Sequence, residues 1–81
     1  MWQNKEGALY RQFEFKDFKQ AFAFMAAVAE VAEAQKHHPK WLNEYEKVEV
    51  WLSSHDAGGT ITGKDRKLAK AIDNVYKECH K

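Results

Sequence analysis

The sequence predicts an α+β fold, an antiparallel sheet with two main helices packed on one face in the order β-α-β-β-α. Three observations carry that expectation. Two segments, Ala8 to Phe15 and Lys47 to Ser54, alternate apolar and polar side chains with period two. Two others, opening at Asp17 and at Thr62, repeat apolar residues at helical spacing behind a capping residue. The punctuation between them is sharp: Pro39 cannot continue a helix, and Asp56-Ala57-Gly58-Gly59 turns the chain because glycine accepts a positive φ that other residues resist.

The first strand places Leu9, Phe13 and Phe15 on one face and Tyr10, Gln12 and Glu14 on the other, with Arg11 the exception. Asp17 is a good N-cap, with Gln20 at the capping-box position, and Phe18, Phe22, Met25, Ala29 and Ala32 recur behind it at helical spacing. Alanine richness supports this helix intrinsically. A second stripe of Phe24, Val28 and Val31 makes it apolar over more of its circumference than one sheet covers, which predicts a contact between subunits. After Pro39, Trp41 to Tyr45 reads as a short strand. Lys47 to Ser54 reads as a longer one, with Val48, Val50 and Leu52 on one face and Glu49, Trp51 and Ser53 on the other. The turn between them, around Glu44 to Lys47, lacks glycine. Thr62 and Asp65 form a capping box for the last helix, whose buried face is read as Leu68, Ala71, Ile72, Val75 and Cys79. With no repeat or linker, residues 1–81 read as a single domain.

A chain of 81 residues buries a small core, so oligomerisation is expected to help it. One cysteine, Cys79, excludes a disulfide within the chain and fits a reducing compartment. The N-terminus has no apolar signal core, and the longest apolar-rich run, Ala21 to Ala29, is too short to span a bilayer. A cytoplasmic protein is expected. Thirteen basic and twelve acidic residues are interspersed, for a net charge of +1, which gives no field for nucleic acid or a membrane surface. A small, nearly uncharged ligand fits better.

The residues that carry chemistry gather in Glu33-Ala34-Gln35-Lys36-His37-His38-Pro39, followed by Tyr45, His55 and Asp65. Three of the four histidines lie here, and imidazole serves as acid or base near neutrality. Glu33 and His37 are one helical turn apart, so the carboxylate can reach and orient the imidazole. Pro39 biases His38 away from helical geometry, so the two adjacent rings should leave the backbone in different directions. A bland reading makes the pair cations at the negative end of a helix. Zinc is the other competitor, but adjacent histidines rarely chelate one ion with good geometry, and no metal is expected. Asp65 is sufficiently explained by helix capping. Tyr45 and Trp41 suit stacking on a flat heterocycle or a place in the core. His80 reads as a solvated tail residue.

In order and spacing, Glu33, His37, His38, Pro39, Tyr45, His55 and Asp65 resemble the pattern of the pterin-4a-carbinolamine dehydratases, also called 4a-hydroxytetrahydrobiopterin dehydratases. That family pattern places Asp65 near the site, a reading that weighs equally with helix capping. The resemblance runs from about Trp2 into the last helix, through Phe13-Glu14-Phe15-Lys16-Asp17-Phe18, the run Val28 to Glu33, and Gly58-Gly59-Thr60-Ile61-Thr62. Ser54 stands where many relatives have threonine and keeps the hydroxyl. The extra N-terminal segment of longer relatives is lacking, so a partner-binding role of that segment is not expected.

The resemblance implies dehydration of 4a-hydroxytetrahydrobiopterin, the carbinolamine left by aromatic amino acid hydroxylases, to quinonoid dihydropterin in tetrahydrobiopterin recycling, with no cofactor. It assigns His37, oriented by Glu33, and His55 as the acid/base pair, leaving open which is which, and His38 to binding and polarising the pterin. Ser54 and the backbone from Ser53 to Asp56 would hydrogen-bond the pterin edge, with Tyr45 and Asp65 as further substrate-binding candidates. The implied partners are a small-molecule pterin and further copies of the chain, as a homodimer or homotetramer. Some members of the family instead act as dimerisation cofactors for a transcription factor, which is the alternative function.

Overall fold

A computed structural model describes residues 2–54 and 58–79. The chain runs β1 (Gln3–Lys5), β2 (Ala8–Glu14), α1 (Phe18–Gln35), β3 (Lys40–Glu44), β4 (Lys47–Leu52) and α2 (Gly63–Cys79). The four strands form one antiparallel sheet in the order β1-β2-β4-β3. Leu9 pairs with Leu52 and Phe13 with Val48, so the apolar sides of the two central strands coincide. Leu9, Phe13, Phe15, Val48, Val50 and Leu52 meet Ala21, Phe24, Val28 and Ala32 of α1 and Leu68, Ala69 and Ile72 of α2 in one buried core. Among the described residues, the other face of the sheet carries no helix.

The N-terminal strand is an addition to the expected order. Gln3-Asn4-Lys5 is exposed throughout and shows no apolar alternation, so its sequence gives no strand signal; backbone pairing to β2 alone makes it one. Its two-residue turn has positive φ at both Glu6 (53°) and Gly7 (82°), the backbone that matches the twist of a hairpin. Gly7 is doubly constrained, because a Cβ there would stand 3.0 Å from the carbonyl oxygen of Gly59.

Arg11 interrupts the apolar face of β2 for a structural reason. Its guanidinium lies over the rings of Phe13 and Tyr76 and donates to Asp73 Oδ1 of α2 at 2.8 Å, which also accepts from Trp2 Nε1 at 2.9 Å. The aliphatic stem thus covers the core edge while the charge is paired.

Asp17 caps α1 by accepting from the Gln20 backbone N–H at 2.9 Å. The expected faces of this helix are exchanged toward its N-terminal half, while Met25 and Ala32 of the first stripe stay with the core. Phe24 and Val28 are fully buried against the sheet, with Val31 packed beside them, whereas Phe18 and Phe22 are 48% and 58% exposed. Both sets obey helical periodicity, and the sequence holds nothing that orients one of two apolar stripes toward a core. On α2 the buried face is Leu68, Ala69 and Ile72; Ala71 and Val75 are half-buried, and Cys79 is exposed rather than inward. The β3–β4 turn manages without glycine because Tyr45 takes φ 53° and Asn43 Nδ2 donates to the carbonyls of Tyr45 (3.2 Å) and Lys47 (2.9 Å). Among the described residues, no helix is long and apolar enough to cross a membrane.

Candidate active site

The site forms where α1 ends, β4 ends and α2 begins. Lys36, in the left-handed region (φ 52°), closes α1. Its N–H donates to the Glu33 carbonyl, and the N–H of His37 donates back to that of Ala32, both at 3.1 Å. This is the double closure of a Schellman motif, and it fixes the His37 backbone to the last turn of the helix. The chain then leaves through His38 and Pro39 into β3.

That reversal decides which carboxylate each histidine meets. A continuing helix would set Glu33 beside His37, but His37 lies beyond the left-handed residue and is no longer one turn above Glu33. Glu33 instead pairs with His38, Oε1 to Nε2 at 2.8 Å, in an exposed contact whose side chains are 79% and 65% accessible. The expected orientation of His37 by Glu33 is therefore corrected. His37 Nε2 meets Asp65 Oδ1 at 2.5 Å, across 28 residues of sequence.

Asp65 is completely buried, which would be costly for a charge without partners. It has four. Oδ1 holds His37, while Oδ2 accepts from the Ser54 hydroxyl at 2.9 Å and from the Thr62 backbone N–H at 2.8 Å. The hydroxyls of Ser54 and Thr62 are bonded to each other at 2.7 Å, and Thr62 Oγ1 accepts from the Lys64 N–H. Burial pushes the Asp65 carboxyl up, but the hydrogen bonds from His37, Thr62 and Ser54 and the His37 charge outweigh it and hold its pKa below 3.8. The ionised carboxylate both caps α2 with one oxygen and orients His37 with the other, so the two readings of Asp65 are compatible.

With an ionised acceptor on Nε2, that nitrogen carries the proton, and the free lone pair of neutral His37 lies on Nδ1. Among the described residues Nδ1 has no hydrogen-bond partner. The ring is largely buried, with 13% of its side chain accessible. An imidazole held in one tautomer by a buried carboxylate, with its other nitrogen available, can accept a proton and is stabilised when it does.

Other expected site residues lie differently. Ser54 is 1% exposed; its hydroxyl is committed to Thr62 and Asp65, its N–H donates to the Thr60 carbonyl and its carbonyl accepts from the Gly59 N–H. It supports Asp65, with its hydroxyl and N–H already engaged within the chain. Asp65, being buried, meets His37 rather than a bound molecule. Tyr45 is 63% exposed in the β3–β4 turn, and β3, which spans roughly 13 Å, separates it from the histidines. Trp41 packs against the core. His55 and Asp56 lie outside the described residues, as does His80. Thr62 is the participant beyond those expected: its capping signature was readable, but its bond to Ser54 joins segments that only the fold brings together.

Comparison with known proteins agrees with this architecture. The family profile described as Pterin 4 alpha carbinolamine dehydratase matches residues 1–75. A Rhodospirillum rubrum protein assigned as a pterin-4-alpha-carbinolamine dehydratase is 57% identical over 68 residues, covering 84% of this chain and 70% of that protein. A Nitrobacter winogradskyi protein with the same assignment is 51% identical over 72 residues, covering 89% of this chain and 70% of its own. Among solved structures, a transcriptional coactivator/pterin dehydratase from Brucella melitensis superposes with a TM-score of 0.87 at 42% identity, over 93% of this chain and 81% of that one. A pterin dehydratase-like RuBisCO assembly factor of the alpha-carboxysome shares the fold, with a TM-score of 0.76 at 23% identity over 94% of this chain and 87% of that one.

Proposed function

The chain belongs to the pterin 4 alpha carbinolamine dehydratase family, and on that premise we propose that it removes water from a 4a-hydroxytetrahydropterin, with His37 as a proton-transferring group. The observation that carries the reading is the buried bond between His37 Nε2 and the ionised Asp65. In the reaction the C4a–OH bond breaks and the hydroxyl leaves with a proton as water. The electrons of the N5–H bond, released as N5 loses its proton, become the C4a–N5 double bond of the quinonoid product. One group must donate and one must accept, and no net redox change occurs.

His37 supplies Nδ1 for one of these transfers, and Asp65 stabilises the imidazolium whenever the ring is charged. His55 is assigned the complementary transfer on the family pattern. Exposed beside Glu33, His38 is suited to contact the pterin directly, with Glu33 keeping its ring in place. The physiological role that fits is recycling of tetrahydrobiopterin in the cytoplasm. The test is dehydration of 4a-hydroxytetrahydrobiopterin by purified protein, followed optically. Wild type should accelerate it, and a folded His37→Ala variant should lose about a hundredfold or more; equal rates would remove His37 from the chemistry.

Exposed Phe18 and Phe22 support a second element of the reading, that the chain works as a homodimer or homotetramer in which this side of α1 is covered. The same surface would serve the alternative, a binding cofactor for another protein. Loss of dehydration without loss of that binding would separate the two.

A further inference from the structure

The helix-free face of the sheet carries a depression of about 560 Å³, lined by Lys5, Glu6, Ala8, Lys40, Trp51 and Ser53. Its volume falls within the roughly 300–1,000 Å³ of small-ligand sites. Register explains its composition. Lys40 pairs with Trp51 and Trp51 with Tyr10, which sets the three in a row across β3, β4 and β2. The Tyr10 and Trp51 rings lie 5.2 Å apart, the Lys5 ammonium sits 4.3 Å from the Tyr10 centroid, and the Lys40 ammonium 5.5 Å from that of Trp51.

Neither ammonium has a carboxylate within ion-pair distance among the described residues. Glu6 is the carboxylate of the lining, and two lysines against one glutamate leave an excess of one positive charge. Glu49, one register step away, is already bonded to the Tyr10 hydroxyl at 2.6 Å. Two cations held beside a tilted pair of aromatic rings suit an anion attached to an apolar ring.

The depression adjoins the candidate active site through the chain itself. Ser53, in its lining, directly precedes Ser54, whose hydroxyl holds Asp65, and Lys40 follows His37 by three residues. Both sites therefore lie at the end of the sheet where β4 finishes and β3 starts, the depression on the helix-free face and Asp65 on the helix-covered one. We propose that the depression receives an acidic substituent of the pterin, with Lys5 and Lys40 as its counter-charges and Trp51 as its apolar wall, so that this chain prefers a carboxylate-bearing pterin to a neutral one. The inference rests on the pterin reading above.

The experiment measures binding of two fluorescent probes, 6-carboxypterin and 6-hydroxymethylpterin, to wild type, to Lys5→Met/Lys40→Met and to Lys5→Arg/Lys40→Arg. Wild type should bind the carboxylate probe about fivefold more tightly, the scale of two partly exposed ion pairs. The methionine double variant should lose that preference while binding the neutral probe as before, and the arginine double variant should keep it. Equal affinity of wild type for both probes, or a preference unchanged by the methionine substitutions, would overturn the proposal and leave the pterin reading standing. Failure of both probes to bind would overturn the two together.

Discussion

At the scale of single residues, the centre of the site is Asp65, which its neighbours in the sequence mark as an N-terminal helix residue and the family pattern marks as close to the site. Its capping role followed from Thr62 three residues before it; its bond to His37 did not, because no local spacing reports a contact across 28 residues. The pairing of Glu33 with His37 failed for the complementary reason, since helical spacing applies only while the helix lasts, and α1 ends at Gln35. Acid should expose the role of Asp65. Its pKa is lower in the folded chain than its ordinary value of 3.8, so on acidification the unfolded chain takes up that proton first. The stability Asp65 confers is fully present above pH 3.8 and is lost as pH falls through the lowered value. Urea midpoints measured from about pH 5 to about pH 2 should therefore fall more steeply for wild type than for Asp65→Asn; parallel profiles would deny the buried carboxylate its charge. Chelation offers a separate check on the histidines. In the proposed reaction proton transfer suffices for the elimination, so activity should survive exhaustive treatment with a strong chelator, and loss with recovery on zinc addition would make His37 and His38 ligands instead.

At the scale of elements, alternation and capping made β2, β4, α1 and α2 readable, because each states its buried side or its start within a few residues. The silent element was β1, a polar edge strand whose sequence shows no apolar alternation and which pairs with β2 through its backbone. The orientation of α1 was silent too. Two apolar stripes on one helix are symmetric to periodicity, and packing resolves them in favour of Phe24 and Val28. Val28→Glu should consequently unfold the chain, since it buries an unpaired charge, whereas Phe22→Glu should leave the monomer's circular dichroism intact and weaken self-association in light scattering. A stable Val28→Glu monomer would invert the assignment. Lys36 bears on the site through backbone geometry, because a left-handed residue other than glycine carries a cost of about 1–2 kcal/mol that the closing hydrogen bonds offset. Lys36→Gly should be tolerated or stabilising in thermal melts. Lys36→Val, β-branched and poorly suited to positive φ, should lower the melting temperature and the dehydration rate together; a neutral valine variant would show that the helix closure does not hold His37.

At the scale of the whole molecule, the fold delivers three chain ends to one place: the end of α1 brings His37, the start of α2 brings Asp65, and the end of β4 brings Ser54. The antiparallel sheet with two helices on one face could be argued from periodicity, since that pattern is distributed along the chain. The convergence could not, because it depends on how the elements dock. The proposed function rests on that convergence, in which a bond network keeps an ionised carboxylate buried and aims it at one imidazole nitrogen. If His37 and Asp65 work as a unit, removing either should forfeit what the pair contributes, and removing both should cost little more than removing His37 alone. The most direct test is a double-mutant cycle on kcat for carbinolamine dehydration with wild type, His37→Ala, Asp65→Asn and the combined variant, each shown to be folded by circular dichroism. The expected result is a combined variant no slower than His37→Ala within about twofold; a combined loss equal to the product of the two separate losses would contradict the account, because the two residues would then act independently.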